Sequence, residues 1–183
     1  MSFKYCFLAL CMTVASLETV SAFASLRRVK RALNADERQI IDMLFEDYMS
    51  INRKVRALKN ARGYVSKTWS NDPVVAGYLQ THVQQMAALV AEGRRARMWD
   101  PAVAQFFQNV ADVNTETTLL DNGVKSRVTG ANDMAMAIAC NHANGVSLFV
   151  QNGPEERGKE HAAVPQADEY SCEIEPRRII NDK

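Results

Sequence analysis

The feature that most limits how this chain can fold is a pattern carried twice, from Gly63 to Gly93 and again from Gly123 to Gly153, an offset of 60 residues at both ends. Ser66 aligns with Ser126, Lys67 with Arg127, His82 with His142 and Val90 with Val150. Five aligned pairs are identical, too few for identity to carry the inference. The order of the signals carries it instead: turn glycine, alternating strand, polar cap, apolar helix bearing a histidine, closing glycine. Neither copy can bury its apolar faces alone, so the two are expected to pack together about an approximate dyad.

The local signals fill in the elements. Asn34 with Glu37 three residues on forms a capping box. Ile40, Ile41, Leu44, Phe45, Tyr48 and Ile51 then recur at helical spacing. The period changes after Asn52: Val55 and Ala57, then Val65, Lys67 and Trp69, alternate either side of a turn at Asn60 to Gly63, which reads as a hairpin. In Ser70-Asn71-Asp72-Pro73 the aspartate can cap free N–H groups while the proline fits the first helical position. Val75, Leu79, His82, Met86 and Leu89 line the helix that follows, until Gly93. Trp99-Asp100-Pro101 opens another helix by the same chemistry, with Val103, Phe106, Phe107 and Val110 as its buried stripe. Strands are expected from Asn114 to Leu120 and from Val124 to Thr129, around the tight turn at Asp121-Asn122-Gly123. Asn132 caps a helix carrying Ala135, Ile138, His142, Val146 and Phe149.

The expected fold class is therefore α+β: a tandem helix–hairpin–helix repeat forming one pseudo-twofold domain, with a four-stranded antiparallel sheet and helices on one side. An all-α bundle is the alternative. The domain runs over residues 34–153, as copies 34–93 and 94–153. From Pro154 apolar periodicity stops, and residues 154–183 read as a disordered charged tail.

Ahead of the domain, Lys4 precedes an apolar run from Tyr5 to Val14, and Val20-Ser21-Ala22 offers small residues for cleavage between Ala22 and Phe23. Residues 1–22 read as a signal peptide; no membrane anchor is expected after its removal. Residues 23–33 hold Arg27, Arg28, Lys30 and Arg31 and no acid. With Ser21-Ala22-Phe23-Ala24 at the junction, this leader resembles the bipartite plastid presequences of diatoms and related algae. The expected route is through the secretory pathway to the plastid of an alga with a secondary plastid. The alternatives are secretion, with Arg28-Val29-Lys30-Arg31 as a furin-type propeptide site, or an effector leader of the oomycete kind.

At 183 residues, 47% hydrophobic and 23% charged, the chain suits one soluble domain. Its net charge of +1, turning negative once the basic leader is lost, gives no reason to expect nucleic acid as a partner. Cys6 and Cys11 lie in the leader, leaving Cys140 and Cys172, which can pair in an oxidising lumen or stay free in a reducing stroma.

The Leu44 to Val55 segment with its Ile51-x-Arg53-x-Val55, Ser70-Asn71-Asp72-Pro73, His82, Trp99-Asp100-Pro101, Asn122-Gly123 and His142 together resemble a family of small, duplicated, histidine-rich bacterial proteins of uncharacterised function. The resemblance spans roughly residues 38–153. It implies the duplicated fold and no activity, and where that family carries a further histidine in each copy this chain has Tyr48 and Val110.

His82 and His142 occupy the same place in each copy, so a dyad would bring their imidazoles towards each other. Two imidazoles can ligate a divalent metal or haem iron when further ligands join them. Tyr48 and Met86 are the candidates, whereas Cys140, two residues from His142, points to another face. The plainer reading is a pair of buried, hydrogen-bonded core histidines. No nucleophile elbow, zinc-protease helix or phosphate loop is present. Asp72 and Asp100 read as helix caps, and Trp69 and Trp99 as packing residues. The expected function is a non-catalytic small-ligand or metal/haem-binding protein with its site between the repeats. A secreted structural or interaction protein of effector type is the alternative, followed by an enzyme of unknown class.

Overall fold

The computed structural model describes residues 33–58 and 62–166. The Ala22–Phe23 junction, the basic leader and Cys172 lie outside the described residues. Helix α1 (Ala35–Glu46) leads through a 3-10 turn (Tyr48–Ser50) into strands β1 (Ile51–Ala57) and β2 (Gly63–Ser70) and then the long helix α2 (Pro73–Ala91). The same order follows again: α3 (Pro101–Gln108), a 3-10 turn (Val110–Asp112), β3 (Val113–Leu120), β4 (Gly123–Gly130) and α4 (Asp133–Asn152).

The chain is α+β, with one four-stranded antiparallel sheet in the order β1-β2-β4-β3. The two hairpins meet along β2 and β4, where Ser66 sits opposite Ser126.

The expected caps are in place. Asn34 and Glu37 form the reciprocal box. Asp72 accepts from the Val74 N–H and Asp100 from those of Ala102 and Val103, each at a helix that opens on proline, and Asn132 accepts from Ala135. At the far end of α2, Gly93 adopts φ 67°, letting the Arg94 N–H turn back to the Leu89 carbonyl at 2.9 Å.

Helix α4 crosses the sheet on a stripe of small residues. Ala135, Ala139 and Ala143 pack with Val55, Tyr64, Val113 and Val128. A Cβ on Gly130 would stand 2.6 Å from the Met136 nitrogen, so only glycine permits this approach. Val75 and Leu79 of α2 pack on Ile51 with Leu44 and Val150, while Leu89 joins Ala96, Phe107 and Met86. Arg94 pairs with the buried Glu37, whose carboxyl is held below its ordinary pKa chiefly by that hydrogen bond.

Two expectations need correcting, and the structure sets which side of β2 faces the helices. The first helix stops at Glu46, and Ile51 opens β1. On β2, Val65, Lys67 and Trp69 do not face the helices; Tyr64, Ser66, Thr68 and Ser70 do, and all four are buried. The folded body also continues past Gly153. A 3-10 turn (Gly153–Glu156) leads into a strap that reaches Gln166, with Val164 buried against Ala137 and Ile138.

Candidate functional site

The helix-facing side of this sheet is unusually polar. Helix-covered sheet faces are normally apolar, yet Arg53 stands opposite Thr68 and Val55 opposite Ser66. Ser66 is opposite Ser126, which is opposite Thr117. The alternation Ile51-x-Arg53-x-Val55 forces this placement: two neighbours two residues away point into the core, so the guanidinium must as well.

Arg53 donates from Nε to Ser147 Oγ on α4 at 3.2 Å and from Nη1 to Thr68 Oγ1 at 2.7 Å. Both acceptors are neutral, and among the described residues no carboxylate pairs with it. Burial lowers its pKa to about 10, so the half-buried Arg53 remains a cation at neutral pH, with no carboxylate partner among the described residues. Tyr64, beside it, is pushed up by burial, with Arg53 acting in the opposite sense.

The two histidines that the 60-residue offset aligns lie within electrostatic reach of each other, and His142 within reach of Arg53. His82 on α2 has its pKa lowered to about 4 by burial, and its buried Nδ1 has no hydrogen-bond partner. One turn on, Gln85 Oε1 is also buried and unpartnered. His142 on α4 is likewise lowered to about 4, by burial first and then by Arg53 and His82, with Asp100 acting the other way. Its ring stacks on Phe106 with centroids 4.1 Å apart. His82, His142 and Arg53 therefore share one electrostatic neighbourhood.

The other expected residues fall elsewhere. The Tyr48 ring lies against Gly153, where an added Cβ would meet it at 2.5 Å. Met86 packs in the Leu89 and Phe107 cluster. Cys140 is buried on α4 and disulfide-bonded. Among the described residues no group of three or more His, Cys, Asp or Glu side chains is placed to hold a metal ion. Trp99 is exposed beneath the Arg97 guanidinium, and Trp69 is half-buried on the open side of the sheet.

Next to His142 lies a cluster that sequence reasoning missed. His161, on the strap, is gripped by two buried carboxylates: Nδ1 lies 2.6 Å from Asp100 Oδ2 and Nε2 lies 3.0 Å from Glu156 Oε1. Arg97 completes Asp100, and Lys159 with Asn152 completes Glu156. Burial alone would raise the Asp100 pKa, but hydrogen bonds from His161 and Arg97 outweigh it and hold the carboxyl below its ordinary value. Glu156 is lowered to about 2, first by Lys159 and Asn152.

Both ring nitrogens of His161 are occupied, so neither is free to take a proton from a substrate; the cluster works as a buckle. It holds the strap across α3, together with the Ala102 N–H to His161 carbonyl bond at 3.0 Å and the paired bonds between Gln105 and Val164. The usable signal in the sequence was the short apolar run Ala162-Ala163-Val164 inside an otherwise charged tail. Comparison of the chain with protein-family models, curated proteins and solved structures gives no match.

Proposed function

We propose that this is a non-catalytic binding protein for a small organic anion, held between the two halves of the domain with Arg53 as its counter-ion. The observation that carries this reading is a partly desolvated guanidinium that faces hydroxyls and, among the described residues, no carboxylate. A buried charge without a partner costs several kcal/mol, and a carboxylate- or phosphate-bearing ligand would supply the partner. The unpartnered Nδ1 of His82 and Oε1 of Gln85 offer further polar contacts. Both histidines are neutral at pH 7, so each brings one donor and one acceptor rather than a second charge. A metal ion on the two imidazoles is the less favoured occupant, because the Arg53 cation would repel it.

The test is thermal unfolding of the purified chain against a panel of small carboxylates and phosphates, with native mass spectrometry for a co-purified species. A ligand at about 1,000 times its Kd stabilises by about 4 kcal/mol. That gain should vanish in Arg53→Met. A bound metal or haem, seen by elemental analysis and absorption and lost in both His82→Ala and His142→Ala, would overturn the anion reading.

Two further readings belong with it. The pairing of Ser66 with Ser126, residues that the 60-residue offset equates, supports an internal duplication whose dyad passes between β2 and β4. The leader supports import into a secondary plastid. A fusion of residues 1–35 to a fluorescent protein should label that organelle and should fail to do so after Phe23→Ala.

A further inference from the structure

The face of the sheet turned away from the helices carries a grid of positive charge. Lys54, Lys67 and Lys125 stand directly opposite one another on three adjacent strands. Two residues along, Arg56 and Arg127 flank Val65, and Glu116, opposite Arg127, is the one acid among the strand residues of this face. All five cations are exposed, and none forms an ion pair among the described residues. Like charges directly opposite each other destabilise a sheet, so this row is an expense unless something negative lies over it. Net charge conceals the grid because it averages over the whole surface. The alternation of the strands collects the bases on one side.

We infer that this face is a platform for single-stranded nucleic acid. A polyanion with regularly spaced charges matches a cationic grid whose rows are two residues apart along strands spaced by about 4.8 Å. Trp69 lies in the same plane, with the Lys67 ammonium 4.9 Å from its ring centroid, and supplies an aromatic surface beside the charges. A duplex fits less well: four strands span about 14 Å, too broad for a major groove about 12 Å wide. A bilayer contact would use exposed apolar side chains, whereas Val65, Trp69 and Leu120 on this face are all half-buried. The platform is on the opposite side of the sheet from Arg53, so it does not depend on the small-ligand reading.

The experiment is fluorescence anisotropy of the whole chain with a labelled 20-nucleotide single strand, the matching duplex, and phosphatidylserine vesicles, at 50 and 200 mM salt. If all five cations neutralise phosphates, affinity should fall about 100-fold across that salt range. In the triple variant Lys54→Ala, Lys67→Ala, Lys125→Ala the fall should shrink to about sevenfold, with weaker binding at low salt. Residues 23–33 are themselves basic, so the variants decide the matter rather than the parent. The single variant Lys67→Glu provides the same comparison if the triple variant fails to fold. Unchanged binding in the folded variants overturns the inference. So does binding of duplex or vesicles as tight as binding of the single strand.

Discussion

Arg53→Met is the substitution that most directly tests the reading of the polar layer. Burial takes the Arg53 pKa well below its ordinary value, to about 10. At 1.36 kcal/mol per pKa unit that corresponds to about 3 kcal/mol against the charged form. The sign is that of a base depressed on folding: the unfolded chain holds the proton more tightly, the penalty is full below about pH 10, and it is relieved as pH rises above that value. Against it stand two hydrogen bonds to neutral hydroxyls, each contributing about 1–2 kcal/mol. Methionine keeps the unbranched apolar stem and removes the charge. Chemical denaturation at pH 7, with no small anion added, should therefore place the variant within about 1 kcal/mol of the parent at an unchanged m-value. Losing one member of a well-paired buried ion pair costs about 3–5 kcal/mol. A loss of that size here would mean that the protein itself already balances Arg53, and the argument for an anionic ligand would fall.

The two core histidines predict an acid-sensitive window. Their folded pKa of about 4 lies below the ordinary 6.5, so between those values the unfolded state binds two more protons. Stability should fall by roughly 1–3 kcal/mol for each unit that the pH is lowered through that window. Denaturation at pH 6.5, 5.5 and 5.0 reads the slope above the range where carboxylates titrate, and His142→Phe should halve it. His161→Ala leaves Asp100 and Glu156 each one partner short and should cost about 2–3 kcal/mol. It should also speed hydrogen exchange at Ala102 and Val164, whose N–H groups bond the strap or α3; unchanged protection would show that the buckle is unimportant. Gly130→Ala drives a Cβ into the α4 backbone and should destabilise by about 1–3 kcal/mol. In contrast, Gly77→Ala, in open space on α2, should stabilise by about 0.4–1 kcal/mol. Equal thermal shifts of the two alanine variants would contradict the packing described at Gly130.

The parts of the fold legible in the sequence are those set by local chemistry. Four caps, two prolines at helix starts and the closing glycines fix their elements through groups a few residues away, and each stands where it was expected. The strap was not legible because nothing local holds it. His161 is positioned by Asp100, far back in the chain, and by Glu156, and charged residues that pair with one another look the same in a sequence as charged residues in water. His82 and His142 were visible as an aligned pair, but Arg53 stood in the Ile51-x-Arg53-x-Val55 motif with no role assigned to it.

The side that β2 turns to the core is the most informative departure from simple patterning, because it has the same cause as the site itself. Val65 and Trp69 are the strand's aliphatic and its largest aromatic, so hydrophobic alternation assigns their side to the core. The structure turns that side outward and buries Tyr64, Ser66, Thr68 and Ser70. Register sets the side: Ile51 and Val55 point inward on β1 and Val124 and Val128 on β4, so their direct partners Ser70, Ser66, Thr68 and Tyr64 point inward with them. The strand therefore accepts three hydroxyls in its covered face and an aromatic on its open one. Sequence patterns that contradict their own fold mark places where something other than stability is selected. Here the contradiction puts a polar layer beneath two helices and an aromatic beside a cationic grid. Those are the two surfaces on which the proposed small anion and the proposed single strand would bind.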